Sequence, residues 1–203
     1  PEILSYIAAI TLLLASTIAI FKDNLKSRLA YSTIAQLSYV VIAASIFSLN
    51  AIIAAALHIV SHAVGKITLF FGSGAITMAS GKKNVSELDG IGRQMPIVGI
   101  CFFIASLSMI GIPFLAGGES KHFIEEAANA ANKEWITNVL YLSMGLNAAY
   151  YLPISYRAFF KKPADDKKLQ TPLSIKIAMI ITTLLIVTYI CYIDILTNLL
   201  ERI

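Results

Sequence analysis

The sequence predicts an all-α polytopic membrane protein, a bundle of about six transmembrane helices of which one is discontinuous. Of the 203 residues, 57% are hydrophobic and only 14% are charged, whereas soluble domains have about 45–50% apolar and about 25% charged residues. The apolar runs also reach about 20 residues or more, the length needed to cross a bilayer. We therefore expect residues 1–203 to form a single transmembrane domain.

The first three spans follow one another with short connections. The run at 3–21 holds no charge, and neither does 29–49, while 51–79 is apolar and small apart from three ionisable residues. The third run exceeds the thickness of a bilayer, so it must tilt or extend beyond it.

The fourth apolar run, 96–131, is interrupted at Gly111-Ile112-Pro113 and again at Gly117-Gly118. It is either two short spans or one broken helix. The fifth span, 135–160, and the sixth, 173–200, flank a charged loop. Helix breaks inside a membrane expose backbone groups, which must face protein or a water-filled cavity. Discontinuous helices of this kind often carry ion sites in transporters.

The distribution of Lys and Arg favours the broken helix. With one span at 96–131, the basic loops 22–28, 80–95 and 161–172 all lie on one side, and the other side holds only Lys133 and Arg202. Two spans would move the third basic loop across the membrane. Because basic loops concentrate on the cytoplasmic side, we expect these three to be cytoplasmic in a bacterial inner (plasma) membrane.

His58, His62 and Lys66 lie four residues apart in the third span. This spacing places them on nearly one helix face, and a charge at mid-bilayer costs about 2.5–3.5 kcal/mol on insertion scales. A chain tolerates that cost at a site of ion or proton movement. Two other interpretations remain: hydrogen bonds between helices, or zinc ligation by the two histidines, for which a third ligand is lacking.

Further polar residues extend this prediction. Lys121 follows the glycine break and is either a second buried cation or a lysine reaching the interface. Glu119 could pair with Lys121 or Lys66, or be solvated. Ser32, Gln36 and Tyr39 give the second span a polar face, which would line a path or bond a neighbouring helix. Lys26 precedes that face in a basic loop.

Several classes of function are disfavoured. The net charge of +4 is modest and its cations lie in loops, so nucleic acid is not an expected partner. The two cysteines, Cys101 and Cys191, fall inside apolar runs and form no disulfide framework or metal motif. No phosphate-binding loop, nucleophile elbow or haem motif is present. We expect a transporter component rather than an enzyme, without a cofactor.

Four segments resemble the antiporter-like family of proton-translocating membrane subunits. Residues 22–39, KDNLKSRLAYSTIAQLSY, are similar to DLKxxLAYSTxSQ, and 58–74, HIVSHAVGKITLFFGSG, to HxxxHAxxKxxLF. Residues 87–96, ELDGIGRQMP, resemble ELxGLGRxMP, and 109–121 resemble LxGIPPxxGFxSK. The family comprises large subunits of Mrp-type multisubunit Na⁺/H⁺ antiporters, the related subunits of respiratory complex I, and subunits of membrane-bound hydrogenases.

The resemblance implies the C-terminal half of such a protein, most similar to the D-type component of Mrp-type antiporters. It implies a proton pathway through Lys26, His58, His62, Lys66 and Lys121, coupled to Na⁺ or K⁺, with other subunits of a hetero-oligomeric membrane complex and lipid as partners. Phe114, Gly118 and Glu119 depart from the family pattern. The alternatives are a proton-pumping subunit of complex I or a hydrogenase, and a transport-inactive fragment or scaffold.

Overall fold

A computed structural model describes residues 2–163, 165 and 167–202. Residues 164 and 166 of the predicted cytoplasmic loop 161–172, and the two terminal residues of the chain, lie outside the described residues. The described chain is helical and forms no strand. Its helices are α1 (Glu2–Phe21), α2 (Leu25–Ala44), α3 (Leu49–Ser80), α4 (Ile91–Gln94), α5 (Pro96–Ile110), α6 (Ala116–Ala130), α7 (Glu134–Phe160), α8 (Leu173–Val187) and α9 (Tyr189–Leu200).

Capping residues move the ends of two helices away from the predicted bounds. α2 begins four residues earlier than expected because the Asn24 side chain accepts a hydrogen bond from the amide of Ser27 at 3.0 Å. It also ends earlier, and Ser48 then caps α3 through the amide of Ala51. Gly81 ends α3 with a left-handed φ of 73°, a conformation that glycine adopts at little cost.

The fourth span is broken once rather than twice. α5 ends at Gly111, whose φ is 113°, and α6 begins at Ala116. Gly117 and Gly118, predicted as a second interruption, lie in the first turn of α6. A Cβ on Gly117 would lie 2.0 Å from the Ser108 carbonyl oxygen, and one on Gly118 2.1 Å from that of Ile112. The two glycines therefore allow the half-helices to approach closely.

The sixth span is also discontinuous, which the sequence did not predict. α8 and α9 meet at Thr188 and are bent by 71°. By length and apolar composition alone, two of the described helices, α1 and α3, are sufficient to cross a membrane, and the bent pair makes a third. The count of six spans, which requires the broken fourth span to cross as one, stays a prediction.

The helices pack through small residues and direct large apolar residues outward. α1 buries Ala8, Ala15 and Ala19 against the bundle, whereas Ile10 and Leu14 are each 58% exposed. Membrane helices pack in this way because lipid solvates large apolar side chains as well as a protein core does. α3 lies at the centre, in contact with α2, α5, α6, α8 and α9.

The three basic loops converge at one end of the bundle, which we name the loop end. The amide of Leu25 donates to the Lys83 carbonyl, and the amide of Gly90 to the Arg157 carbonyl. Arg157 also forms an ion pair with Asp89 at 2.8 Å. The amide of Leu169 donates to the backbone carbonyl of Gln94. The grouping agrees with the charge argument, while the cytoplasmic side remains a prediction.

Candidate functional site

Helix α3 directs His58, His62 and Lys66 into the bundle. The three side chains are only 1%, 8% and 6% exposed. The four-residue spacing therefore produces the inward stripe that the sequence predicted. Because α3 is surrounded by other helices, the stripe faces protein rather than lipid.

Lys66 is held by oxygen atoms and by no carboxylate. Its Nζ donates to the Leu29 carbonyl at 2.9 Å, to the Ser32 hydroxyl, and to the Tyr151 hydroxyl at 3.2 Å. Among the described residues, no acidic side chain forms an ion pair with it. Neutral oxygens satisfy the amine whether or not it is charged, so Lys66 is not locked into one protonation state by a counter-charge.

Lys121 is held by the break itself. It is 3% exposed, and its Nζ donates to the carbonyls of Met109 at 2.7 Å and Ile110 at 3.1 Å. These carbonyls end α5, where helical backbone oxygens lack partners and the helix dipole is negative. The Tyr39 ring centroid lies 4.9 Å from the same nitrogen, which favours a cation at this position.

The two histidines lie between the lysines. His58 Nδ1 is 2.9 Å from the hydroxyl of Ser120, the residue that precedes Lys121, and Ser61 contacts the same hydroxyl at 2.8 Å. The rings of His58 and His62 are 6.4 Å apart and nearly parallel. A charge on either lysine acts electrostatically on His62. The stripe thus links α3 to the half-helix that carries Lys121.

Buried polar atoms without regular partners cluster along this line. His58 Nε2, His62 Nδ1 and both side-chain polar atoms of Gln36 have no hydrogen bond of ordinary geometry, although the Gln36 amide lies near the Tyr150 hydroxyl. Such atoms are normally bound by internal water. Gln36 and the two histidines therefore form a buried polar patch inside the bundle.

Helix α7 contributes a set of polar residues that the sequence analysis missed. Tyr39 donates to Ser143 at 2.8 Å, Asn147 Nδ2 lies 3.4 Å from both the Tyr39 hydroxyl and the Met109 carbonyl, and Tyr150 donates to Asn147. Ser143, Asn147 and Tyr151 follow each other every four residues within an apolar span. That periodicity was the available signal, the same one that identified the polar face of α2.

Two predicted residues lie apart from the cluster. Lys26 is exposed at the loop end, and the buried cation there is Arg28, which donates to the carbonyls of Lys22, Tyr150 and Ile20. Glu119 forms an ion pair with neither lysine in the described structure; it accepts a hydrogen bond from the amide of Phe114 at 2.8 Å. Arg28 is therefore a buried residue that joins neighbouring segments through their carbonyls, whereas Lys26 does not contact the buried histidines and lysines.

A cavity of about 470 Å³ opens beside the break. Gly111, Glu119, Lys121, Glu125 and Tyr141 are among the residues that line it. The Tyr141 hydroxyl donates to Glu125 at 2.6 Å. Within the described residues, no three His, Cys, Asp or Glu side chains are grouped as a metal site would require.

Comparison with known proteins gives a consistent result. Residues 1–146 match the family described as NADH:quinone oxidoreductase/Mrp antiporter, TM. NADH-quinone oxidoreductase subunit N of Desulforudis audaxviator is 34% identical over 160 residues, which are 79% of this chain and 32% of that protein. The A/B component of a probable K⁺/H⁺ antiporter from Rhizobium meliloti is 37% identical over 161 residues, 77% of this chain and 16% of that protein.

The fold is also found in solved structures. A chain of the Mrp complex from Dietzia sp. aligns with a TM-score of 0.87 and 18% identity, over 98% of this chain and 46% of that one. The chain spans about a third or less of the length of the two curated relatives. Similarity to components of both antiporters and oxidoreductases leaves the D-type assignment as a prediction.

Proposed function

Because the chain belongs to the NADH:quinone oxidoreductase/Mrp antiporter transmembrane family, we propose that it is the proton-conducting part of a subunit in a multisubunit cation/proton antiporter. The observation that carries this proposal is the pair of buried lysines, Lys66 and Lys121, with two buried histidines on the same helix face as Lys66 and, among the described residues, no carboxylate ion-paired with either lysine. Ionisable groups inside a membrane usually lie on ion or proton paths.

The proposed path runs from Lys66 through His62 and His58 to Lys121. A neutral imidazole accepts a proton on one nitrogen and releases one from the other. His58 Nε2 and His62 Nδ1, which make no hydrogen bond of ordinary geometry, and the Gln36 amide would contact the connecting waters. At the other end, His58 Nδ1 lies 2.9 Å from the hydroxyl of Ser120, the residue that directly precedes Lys121 in α6.

Electrostatic repulsion couples the two lysines in this proposal. A proton that arrives at one lysine disfavours a second positive charge along the path and favours proton release from the other lysine. Lys26, exposed at the loop end, would exchange protons with water there rather than inside the path. We assign the loop end to the cytoplasm of a bacterial plasma membrane, and propose that other membrane subunits complete the complex.

The test uses everted vesicles containing the complete complex, with a ΔpH dye and added Na⁺ or K⁺. We expect a cation-dependent collapse of ΔpH that Lys66→Ala and Lys121→Ala each abolish without loss of assembly. Lys83→Ala, at an exposed lysine of the loop end, serves as the matched control. Near-normal transport in both buried-lysine variants would contradict the proposal and leave a scaffold function.

A second candidate is a proton-pumping subunit of a redox-driven complex. It is favoured by the 34% identity to a protein named as an NADH-quinone oxidoreductase subunit. The same lysines and histidines would carry protons, but electron transfer in other subunits would supply the energy. Purification by a tag on this chain separates the two: co-purified flavin or iron–sulfur subunits would support the redox-driven complex, and their absence together with a cation response would support the antiporter.

A further inference from the structure

An aromatic groove opens on the outer face of the bundle between α5 and α7. It measures about 570 Å³ and is lined mainly by apolar side chains. Two ring pairs form its walls: Tyr156 stacks on Phe160 with centroids 5.6 Å apart, and Phe103 meets Phe159 edge-on at 6.1 Å. The rings brace one another, so the groove is a preformed slot rather than a flat surface.

The shape of the groove suits an acyl chain better than a neighbouring helix. Membrane helices pack through small residues that let their backbones approach, whereas large rings project here. The groove follows α7 over residues 152–160, a rise of about 12 Å. One leaflet of the hydrocarbon core is about 15 Å deep, so the groove matches most of the depth of one leaflet.

A buried hydroxyl in the groove lacks a partner. Ser155 lines the groove and is only 7% exposed, and its Oγ makes no hydrogen bond within the described part of the chain. A buried hydroxyl left unpaired is costly. Ser155 lies five residues before the end of α7 at Phe160, about 7.5 Å along the helix axis. The ester carbonyls of a phospholipid lie slightly deeper than its phosphate, at a depth where they could accept this hydrogen bond.

Three cations stand at the mouth of the groove, at the loop end. Arg93 Nε donates to the carbonyl of Phe159, a lining residue, at 3.0 Å. Lys161 and Lys162 directly follow Phe160, and both are exposed. Loops rich in Lys and Arg lie at the membrane surface. The apolar slot therefore ends in a basic rim where lipid headgroups would be.

The rim is held together and its charge is not neutralised. The chain that leaves α7 packs on the turn before α4, where a Cβ on Gly90 would lie 2.3 Å from the Pro163 nitrogen. The two lysines are thus kept near α4, which carries Arg93. Among the described residues no carboxylate forms an ion pair with these three cations; Asp89 pairs with Arg157 instead.

We propose that the groove binds an anionic phospholipid, with an acyl chain between the ring pairs and the phosphate against Arg93, Lys161 and Lys162. Basic clusters beside membrane helices bind anionic headgroups. An uncharged lipid would leave the rim unpaired, and a soluble phosphate would leave the groove empty. The site uses none of the residues of the proposed proton path, so its test is independent of the transport test.

The experiment uses the complex purified through a tag on this chain, in nanodiscs made mainly of phosphatidylcholine. The probes are phosphatidylglycerol and phosphatidylcholine with the same photoactivatable acyl chain, and mass spectrometry identifies the labelled peptides. Each cation near the surface strengthens binding of an anionic lipid about fivefold. Phosphatidylglycerol should therefore label the segments 100–103 and 152–160 at least about tenfold more than phosphatidylcholine does, and excess inorganic phosphate should not displace it.

Two variants address the two halves of the site. Lys161→Gln combined with Lys162→Gln should lower the affinity for phosphatidylglycerol about 25-fold. Lys82→Gln combined with Lys83→Gln is its control, the same change in a loop that pairs with the start of α2.

Ile100→Trp fills the groove from a position that is 52% exposed, so labelling by both lipids should fall. Ile10→Trp, at a 58% exposed position of α1 outside the groove, should behave as wild type.

Three results would overturn the lipid site. Equal labelling by the two lipids would remove its charge selectivity. Unchanged labelling in the Lys161 and Lys162 variant, or displacement by phosphate, would separate the rim from the groove. Crosslinks from the groove to another subunit in place of lipid would show that a protein covers it. Should Ile100→Trp fail to assemble, the lysine pair still decides.

Discussion

Lys121 and Asn147 converge on one backbone oxygen. Lys121 Nζ is 2.7 Å from the Met109 carbonyl, and Asn147 Nδ2 is 3.4 Å from the same atom. Asn147 also accepts from the Tyr150 hydroxyl and lies against Tyr39. Asn147 on α7 therefore contacts the same carbonyl oxygen, at the end of α5, that accepts the hydrogen bond from Lys121.

Asn147→Leu should weaken this arrangement. It leaves the Tyr150 hydroxyl without its acceptor, and an unsatisfied buried group costs about 1–3 kcal/mol. We expect lower thermal stability of the complex and slower proton transport, measured in detergent and in vesicles. Asn138→Leu, an exposed position on the same helix, is the control. Equal behaviour of the two variants would contradict a positioning role for Asn147.

Ser32→Ala should slow proton transport while preserving assembly. The Ser32 hydroxyl contacts both Lys66 Nζ and the Tyr151 hydroxyl, so its loss removes one of the three oxygens that hold the amine. A hydrogen bond worth about 1–1.5 kcal/mol corresponds to about a tenfold change in rate. Ser38→Ala is matched, because among the described residues that hydroxyl donates only to the Ile34 carbonyl of its own helix; transport should be unaffected.

Gly117→Ala should destabilise the break. Its Cβ would lie 2.0 Å from the Ser108 carbonyl oxygen, so the half-helices would have to separate. Overpacking typically costs about 1–3 kcal/mol, seen as a lower melting temperature. At Gly145 an added Cβ meets no atom within 4 Å, so Gly145→Ala should be neutral or favour α7 by up to about 1 kcal/mol. A stable Gly117→Ala variant would refute the close approach.

The loop end should loosen at low pH. The Ser86 hydroxyl and amide donate to the Asp23 carboxylate at 2.6 and 2.9 Å, and these bonds, the hydroxyl first, hold the pKa of Asp23 below its usual range. The stabilisation is therefore complete above the unfolded pKa of about 3.9 and is lost as the pH falls through the lower folded value.

Hydrogen exchange of the amides at 84–87 would measure this loosening. At each pH the wild type is compared with Ser86→Ala, so that intrinsic exchange cancels. The extra protection of the wild type relative to Ser86→Ala should be full at neutral pH and should disappear in acid. A difference between the two proteins that stays constant with pH would show that the Asp23 carboxylate is not responsible.

The sequence by itself determined the membrane class, the inward stripe and the broken fourth span. The apolar composition is not that of a soluble protein. The helical period places His58, His62 and Lys66 on one face, whatever packs against them. Gly111 and Pro113 likewise end a helix through local backbone restrictions. These features depend on neighbours along the chain, so they can be read without tertiary structure.

Only the tertiary structure decided which groups meet that face. Arg28 and Lys26 are two residues apart in one basic segment, yet packing buries the first among carbonyls and leaves the second exposed. Asn147 reaches Met109 across 38 positions of sequence. Such partners depend on how the helices rotate and approach one another. Side-chain packing across the whole bundle sets this geometry, and no local sequence pattern encodes it.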